Sequence, residues 1–361
     1  MTSARGLHFL ENAAGVDADG HPLPSAPDTK DLMERVEARI FDHRASFPRP
    51  EPVFSINGIA VCTRGNLTSI SAQVKAGKSA QVSAMIAATM ADPEARRDCL
   101  GVTSSNPNGF AVIHLDTEQS LYDHHELGMR TLGRAGILEA PPWFRSFCLT
   151  GFTVAELLLA LPRMLEKAKV DLGGIHSVFI DGIGDMVLDV NDSAESNGLV
   201  AELHALAILY DCAIVGVIHT NPGTQKTRGH LGSQFERKSE TNLSLEKDGD
   251  VTVVWSDKNR RAPIPKDKGS RYEWSDEHKM HVSTTAGGRS RADAQRAKLL
   301  SEAQSVFLKA GRDSLPWGEF IDRLKDQLRM KSESGSRKRM EKMEAAGVIA
   351  KDLSGEWRLA K

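Results

Sequence analysis

From Leu67 to His219 the sequence alternates short apolar, β-branched runs with longer stretches of helical periodicity. This alternation restricts the fold more than any other feature of the chain. "NLTSISA", "FAVIHLD", "FRSFCL", "HSVFID" and "CAIVGVIH" read as strands. Ser79–Ala91, Leu121–Ala135, Val154–Lys169 and Ser193–Tyr210 between them read as helices. Strands that are apolar on both faces, each followed by a helix, specify a parallel sheet covered on each side. Beyond Leu243 the spacing shortens to "LSLEK", "VTVVWSD", "RYEWS" and "KMHVS", which predicts an antiparallel extension at one edge. The fold class expected is therefore α/β.

The rest of the chain divides around this region. Residues 1–49 carry scattered prolines around a helix expected at Thr29–Phe41 and read as an arm or linker. Residues 50–283 form the α/β domain, 284–294 ("TTAGGRSRADA") a hinge, and 295–361 a second, small domain. Residues 288–361 hold 17 Lys and Arg against 11 Asp and Glu, although the whole chain has a net charge of −2. A basic end on an acidic body suits contact with a polyanion, and equally a solvated helical surface. No apolar run approaches the ~20 residues of a membrane span. The N-terminus shows no apolar core with a cleavage site. The four cysteines (Cys62, Cys99, Cys148 and Cys212) are far apart, which argues against a zinc site or a disulfide framework. A cytoplasmic location is the expectation.

The first expected strand runs into "AQVKAGKSA", and the helix begins at Gly77-Lys78-Ser79. A strand, a small-residue turn and a helix N-terminus make an anion cradle, because the first N–H groups of a helix are free and its dipole favours negative charge. Ala72, Gln73, Val74, Lys75, Ala76, Gly77, Lys78, Ser79 and Ala80 are the candidate phosphate-loop residues. Lys78 is placed to reach β- and γ-phosphates, and the Ser79 hydroxyl to hold Mg²⁺. Ala72 stands where the G-x-x-x-x-G-K-[ST] pattern has its first glycine. Two more strands end in carboxylates. "VFIDG" ends at Asp181, a candidate to hold Mg²⁺ through water, with Asp185 just beyond. "VIHLDTEQS" ends at Asp116 and Glu118. Glu118 could orient an attacking water if its strand lies beside the phosphate-loop strand.

Taken together, "QVKAGKS", "HLDTEQS", "VFIDG" and "GVIHTNP" resemble the motif series of the RecA-like ATPases, in the hexameric-helicase branch that includes plasmid RepA and DnaB. The resemblance covers about residues 48–283. It implies a RecA-like parallel sheet, ATP and Mg²⁺ as ligands, Glu118 as the water-activating residue, and His219 as the γ-phosphate sensor, with Thr220 and Asn221 beside it. It further implies that "RGHLGSQFERKSE" (228–240) is a glycine-containing DNA-facing loop, which with Lys226 makes Lys226, Arg228 and His230 candidate DNA contacts. Lys258-Asn259-Arg260 is similar to the K-x-R of DnaB-like proteins. Arg260 is then an arginine finger acting on a neighbouring subunit, and Lys258 its companion.

In the last 70 residues, "AQRAKLLSEAQSVFLKAG", "SLPWGEFIDRLKDQL" and "SESGSRKRMEKMEAAGVI" read as three helices, and "GVIAKDLSGEWRLA" as a hairpin. That order resembles a winged helix. Arg337, Lys338 and Arg339 fall at the start of its third helix, where they suit contact with duplex DNA, a protein partner being the alternative. The expected function is an ATP-hydrolysing ring, hexameric, with single-stranded DNA in the ring and duplex at the winged helix. A replicative helicase or translocase of a plasmid or mobile element fits, with a replication protein as possible partner and no membrane. An ATPase that loads or regulates another replication protein, or an ATP-switched DNA-binding regulator, is the alternative.

Overall fold

The computed structural model of the chain describes residues 29–95, 97–221, 226–285, 291–328, 330, 332–352 and 354–360. It divides into two units, Met1–Arg49 and Pro50–Lys361. In the first unit, helix α1 (Thr29–Glu37) leaves Leu32, Met33 and Val36 exposed, as are Ile40 and Phe41 beyond it. The remainder of the expected arm, residues 1–28, lies outside the described residues.

The second unit begins with a feature that the sequence reading did not anticipate. Strands β1 (Pro52–Ile56) and β2 (Ile59–Thr63) form an antiparallel hairpin, joined by Asn57 and Gly58, both in the left-handed region (φ 49° and 79°). Positive φ at both central residues is the geometry of a type I′ turn, for which Asn-Gly is the preferred pair. Strands β3 (Leu67–Ala72) and helix α2 (Lys78–Met90) follow. Then β4 (Val102–Ser104) returns to pair with β1, so that a small sheet of order β2-β1-β4 stands apart from the main one.

The main sheet alternates as expected. The elements are β5 (Ala111–Asp116), α3 (Leu121–Ala135), β6 (Phe144–Cys148), α4 (Val154–Leu172), β7 (Ile175–Asp181), α5 (Ser193–Leu209), β8 (Ala213–His219), α6 (Gly229–Lys238) and β9 (Thr241–Asp248). Strands β10 (Val251–Asn259), β11 (Ser270–Ser275) and β12 (Met280–Ser283) complete a nine-stranded sheet of order β12-β11-β10-β9-β3-β8-β7-β5-β6. The β9-to-β6 part is parallel, and β10 to β12 add antiparallel strands at one edge. The fold is thus α/β with a large, mostly parallel central sheet. One expectation shifts: "LSLEK" lies in β9, which is parallel to β3 and antiparallel only to β10.

Side chains along each central strand feed two separate cores, as a strand period of two requires. Phe179, Val215 and Val217 pack with α2 and the small sheet, whereas Val178, Ile180, Ile214 and Ile218 pack with α4, α5 and α6. Both faces are therefore covered, which explains why these strands show no polar stripe. Among the described residues no helix is long and apolar enough to cross a membrane.

The C-terminal residues have a core of their own, built from Leu299, Val306, Phe320, Leu324, Met340, Met343 and Trp357 among others. Helix α7 (Arg291–Ala310) is followed by β13 (Ser314–Leu315), α8 (Trp317–Gln327), α9 (Glu333–Ala345), β14 (Ile349–Lys351) and β15 (Trp357–Leu359). The three strands pair antiparallel in the order β13-β15-β14. Helix α7 starts inside the expected hinge 284–294, of which residues 286–290 lie outside the described residues.

The basic cluster on α9 is not a uniform surface. Arg339 makes two hydrogen bonds to Glu302 of α7, at 2.8 and 2.7 Å, and this carboxylate holds its guanidinium above the usual range. Arg337 is bonded to Glu333 one turn earlier, and its guanidinium lies 4.8 Å from the Trp317 ring centre. The expected trio is thus divided: Arg339 pairs with another helix, Arg337 with its own, and among the described residues Lys338 makes no ion pair. Arg339→Ala should lower the stability of α9 by about 1–3 kcal/mol, the cost of stranding a charged partner. Amide exchange across residues 336–345 should quicken accordingly, and Lys338→Ala should leave it unchanged.

Candidate functional site

The parallel strands end together, and the expected site residues sit at those ends. Ala72 is paired with His219, and Asp116 with Asp181. Crevices at the carboxyl ends of parallel strands are where open α/β sheets bind ligands, because loops and helix N-termini converge there. Between β3 and α2 the chain makes a tight turn with two left-handed residues, Lys75 (φ 64°) and Gly77 (φ 88°). Ala72 is the last residue of β3 in ordinary strand pairing, 1% exposed. The substitution of alanine for glycine at that position is harmless, since the turn needs its positive φ three and five residues later. Gly77 caps α2, whose first turn offers its N–H groups to the space above.

Lys78 is the second buried feature of this turn, 7% exposed. Its ammonium donates to the Gln73 carbonyl at 3.3 Å and lies 3.0 Å from His219 Nδ1. His219 Nε2 in turn lies 2.9 Å from Glu118 Oε1. An ammonium can only donate, so Nδ1 accepts and the ring proton sits on Nε2, where it donates to the carboxylate. Burial lowers the Lys78 pKa, against the pull of Glu118 and Asp181. The hydrogen bond from His219 holds Glu118 below the usual carboxylate range, ahead of the opposing effect of burial. Ser79 Oγ stands 3.5 Å from Asp181 Oδ2. Burial, then the charges of Glu118 and Asp116, push the Asp181 carboxyl up to about 7.

Glu118 arrives by a route other than the expected one. Strand β5 is not beside β3, since β8 and β7 stand between them. The turn after β5 folds back instead. Asp116 Oδ1 accepts the N–H groups of Glu118 (3.1 Å) and Gln119 (3.0 Å), and its Oδ2 is 3.1 Å from His124 Nδ1 on α3. The Ser146 hydroxyl bridges His124 Nε2 and His114 Nδ1, at 3.1 and 2.8 Å. Asp116 is fully buried and acts as the anchor of the turn, while Glu118 faces the site. The anchoring network was not anticipated from the sequence, although Asp two residues before a turn amide is a recurrent device.

A cleft of about 340 Å³ is lined by Gly77, Lys78, Ser79, Glu118, Asp181 and His219, and continues to Arg130, Trp274 and His281. A second, of about 970 Å³, shares Glu118 and His219 and opens towards Asp185, Leu188 and Arg228. His219 and Glu118 therefore form the wall between two clefts. The chain after His219 turns back at once: Arg228 N–H donates to the His219 carbonyl at 2.9 Å, and Thr220 bridges to Thr227. Residues 222–225 lie outside the described residues. Lys226, Arg228 and His230 are exposed. The stretch 228–240, expected as a loop, is mostly helix α6. Its glycines fit close approach: a side chain at Gly229 would run into the Val190 carbonyl, and one at Gly232 into Thr227.

The Lys258–Arg260 pair separates. Lys258 Nζ donates to the carbonyls of Glu236, Arg237 and Ser239, at 3.2, 2.8 and 2.6 Å, and so caps the C-terminal end of α6. A lysine spent on a helix end is not an outward-reaching companion. Arg260 is exposed and touches Asn66, just before β3 begins. The turn between β3 and α2 lies beyond the other end of that strand, about 20 Å away at ~3.3 Å per residue. No family model matches the chain, and no curated protein matches it.

In chemical terms the site combines a helix N-terminus and a desolvated ammonium, which suit an anion, with an ionised glutamate hydrogen-bonded to a histidine. Ser79 and Asp181 supply two oxygen donors that suit a hard cation completed by water or ligand oxygens. Among the described residues no group of three or more His, Cys, Asp or Glu could hold a metal by itself. The raised Asp181 pKa gives a signed expectation. Without ligands, a carboxyl whose folded pKa (about 7) exceeds its unfolded value (3.8) loses stabilisation as pH rises between the two. Asp181→Asn should therefore gain stability over wild type progressively from pH 4 to pH 7 and hold that gain above. Thermal midpoints across that range check it.

Proposed function

We propose that this chain is an ATP-hydrolysing, RecA-like ring ATPase that acts on DNA. The observation that carries the reading is the convergence, at the ends of four strands, of Lys78, Ser79, Asp181, Glu118 and His219. Their roles were expected from sequence motifs up to 141 residues apart.

In this reading the β- and γ-phosphates of ATP lie over the N-terminus of α2, and Lys78 exchanges the Gln73 carbonyl and His219 Nδ1 for phosphate oxygens. Ser79 and Asp181 would hold Mg²⁺, which supplies neutralising charge to the phosphates when bound. The rise in the Asp181 pKa supports this fit, since burial and the charges of Glu118 and Asp116 outweigh the pull of Lys78 and His219, and a bound cation would offset them. Glu118, kept ionised by the His219 N–H, orients and polarises the attacking water. His219 loses Lys78 as a donor when phosphate enters. Its state thus reports γ-phosphate to Thr220 and to Arg228, which is bonded to its carbonyl.

Arg260 cannot serve its own phosphate turn, and its exposure supports a role on a neighbouring subunit's nucleotide. That is the basis for a ring, hexameric by the resemblance. Single-stranded DNA would then run past Lys226, Arg228 and His230. The helix–strand–helix–helix–strand–strand order of residues 291–360 supports a winged helix, with Arg337, Lys338 and Arg339 the candidates for duplex contact and Lys338 the one without an ion pair among the described residues. A cytoplasmic location and a replication role for a plasmid or mobile element complete the proposal. DNA-stimulated hydrolysis with directional strand displacement is its test. Stimulation without displacement would favour a loader or regulator.

Two predictions separate the roles. Lys78→Ala should abolish turnover in a folded protein, while Glu118→Gln should bind ATP with near wild-type affinity and hydrolyse it about 10²–10⁴-fold more slowly. Steady-state hydrolysis beside equilibrium binding distinguishes them. Arg260→Ala should bind ATP and turn over about 10³–10⁵-fold more slowly. Mixed with Lys78→Ala it should regain activity, because some interfaces then join an intact turn to an intact arginine. Mixed rings that stay inactive at every ratio would refute action in trans.

A further inference from the structure

The antiparallel edge of the sheet touches the phosphate turn directly. Tyr272, on β11, is fully buried, and its hydroxyl donates to the Gly77 carbonyl at 2.9 Å. Thr252, on β10 and 2% exposed, donates to the Ala76 carbonyl at 3.3 Å. Gly77 leaves room for both. A Cβ there would stand 3.0 Å from a Tyr272 ring carbon, 3.1 Å from its hydroxyl and 3.2 Å from Thr252 Oγ1. Burial pushes the Tyr272 phenol far above its usual range, which keeps it a donor.

These two hydrogen bonds do more than satisfy acceptors. The Gly77 carbonyl already receives the Gln81 N–H at 3.1 Å, as the first bond of α2. Tyr272 adds a second donor and so fixes the direction in which that carbonyl points. In a planar trans peptide the N–H points opposite to the carbonyl. Holding the carbonyls of Ala76 and Gly77 on the side of β10 and β11 therefore aims the N–H groups of Gly77 and Lys78 the other way, off the free end of α2. Glycine is the residue least able to hold its own backbone angles, and Gly77 is at φ 88°. Tyr272 and Thr252 add restraint from outside the turn to the bonds made within it.

We infer that Thr252 and Tyr272 are positioning residues that preset the phosphate-binding turn. The inference rests on the nucleotide reading above and adds to it two residues that belong to none of its motifs. They touch no substrate. Their effect is to remove conformational freedom before the phosphates bind, so their loss should appear in ground-state binding of phosphate and hardly in the chemical step.

The test uses the full-length chain and its Tyr272→Phe and Thr252→Val variants, which delete a hydroxyl and keep the shape. Binding of ADP with Mg²⁺ and of pyrophosphate is titrated calorimetrically, and KM and kcat for ATP are measured alongside. Each variant should weaken both ligands by about 2–10-fold, the worth of one hydrogen bond. KM should rise by a similar factor with kcat nearly constant, and Thr252→Ser should restore affinity. Ser256→Ala is the control. It removes a hydroxyl from the same strand, one that accepts the Ile264 N–H at 2.7 Å away from the turn, and should leave affinity unchanged. If wild type binds both ligands and the two variants bind them equally well, the positioning role is overturned. A loss of the same size in Ser256→Ala would also overturn it, since general loosening of the edge would then suffice. If wild type binds neither ADP nor pyrophosphate, the nucleotide reading falls first and takes this inference with it.

Discussion

The arrangement depends on one buried cation. Lys78 is brought under the surface by a turn between a fully buried strand and a buried helix. Among the described residues no carboxylate is in ion-pair contact with it. It borrows a backbone carbonyl and a histidine nitrogen instead. An ammonium with neutral partners in a partly dry cleft carries a desolvation cost that a polyanion would offset. The helix N-terminus adds N–H groups aimed at the same space. Everything else at the site can be described as fixing, flanking or exploiting that charge.

The sheet does the fixing. Its central strands are sealed on both faces, and the turns that carry the site follow directly from their ends. Asp116 anchors the Glu118 turn from below, Tyr272 and Thr252 hold the β3–α2 turn from the side, and β8 sets His219 between Lys78 and Glu118. His219 is also where the 340 and 970 Å³ clefts meet. A ligand that draws Lys78 away from His219 alters a hydrogen bond made by the residue that walls off the second cleft. A change in one cleft thereby reaches the other through a single side chain.

Much of this was legible in the sequence because it depends on local pattern. The strands of the parallel sheet and the helices between them announced themselves through apolar runs of strand length and periodic runs of helix length. The G-K-S turn and the carboxylates at strand ends carried their chemistry in residue type. What stayed hidden depends on contacts distant in sequence or on signals that compete. The Asn57-Gly58 hairpin was marked by its turn dipeptide, yet its strands alternate weakly beside the richer motif that follows. Helix α6 was masked by Gly229, Gly232 and Ser233, residues that favour loops; the two glycines allow close approach to Val190 and Thr227. Lys258 read as an outward charge, but three carbonyls at the end of α6 take its donors. Arg339 likewise read as a surface contact until Glu302, 37 residues away, claimed it. A one-dimensional pattern shows that a residue is charged and does not show what faces it.

The central claim is that the cleft over Lys78 is built for the phosphates of a nucleotide. Calorimetric titration of ATP into the full-length chain, with and without Mg²⁺, tests it most directly. The account predicts saturable binding at one site per chain, strengthened by Mg²⁺ and lost in Lys78→Ala. Absence of binding at millimolar ATP with Mg²⁺ present, or binding that Lys78→Ala leaves unchanged, would contradict it.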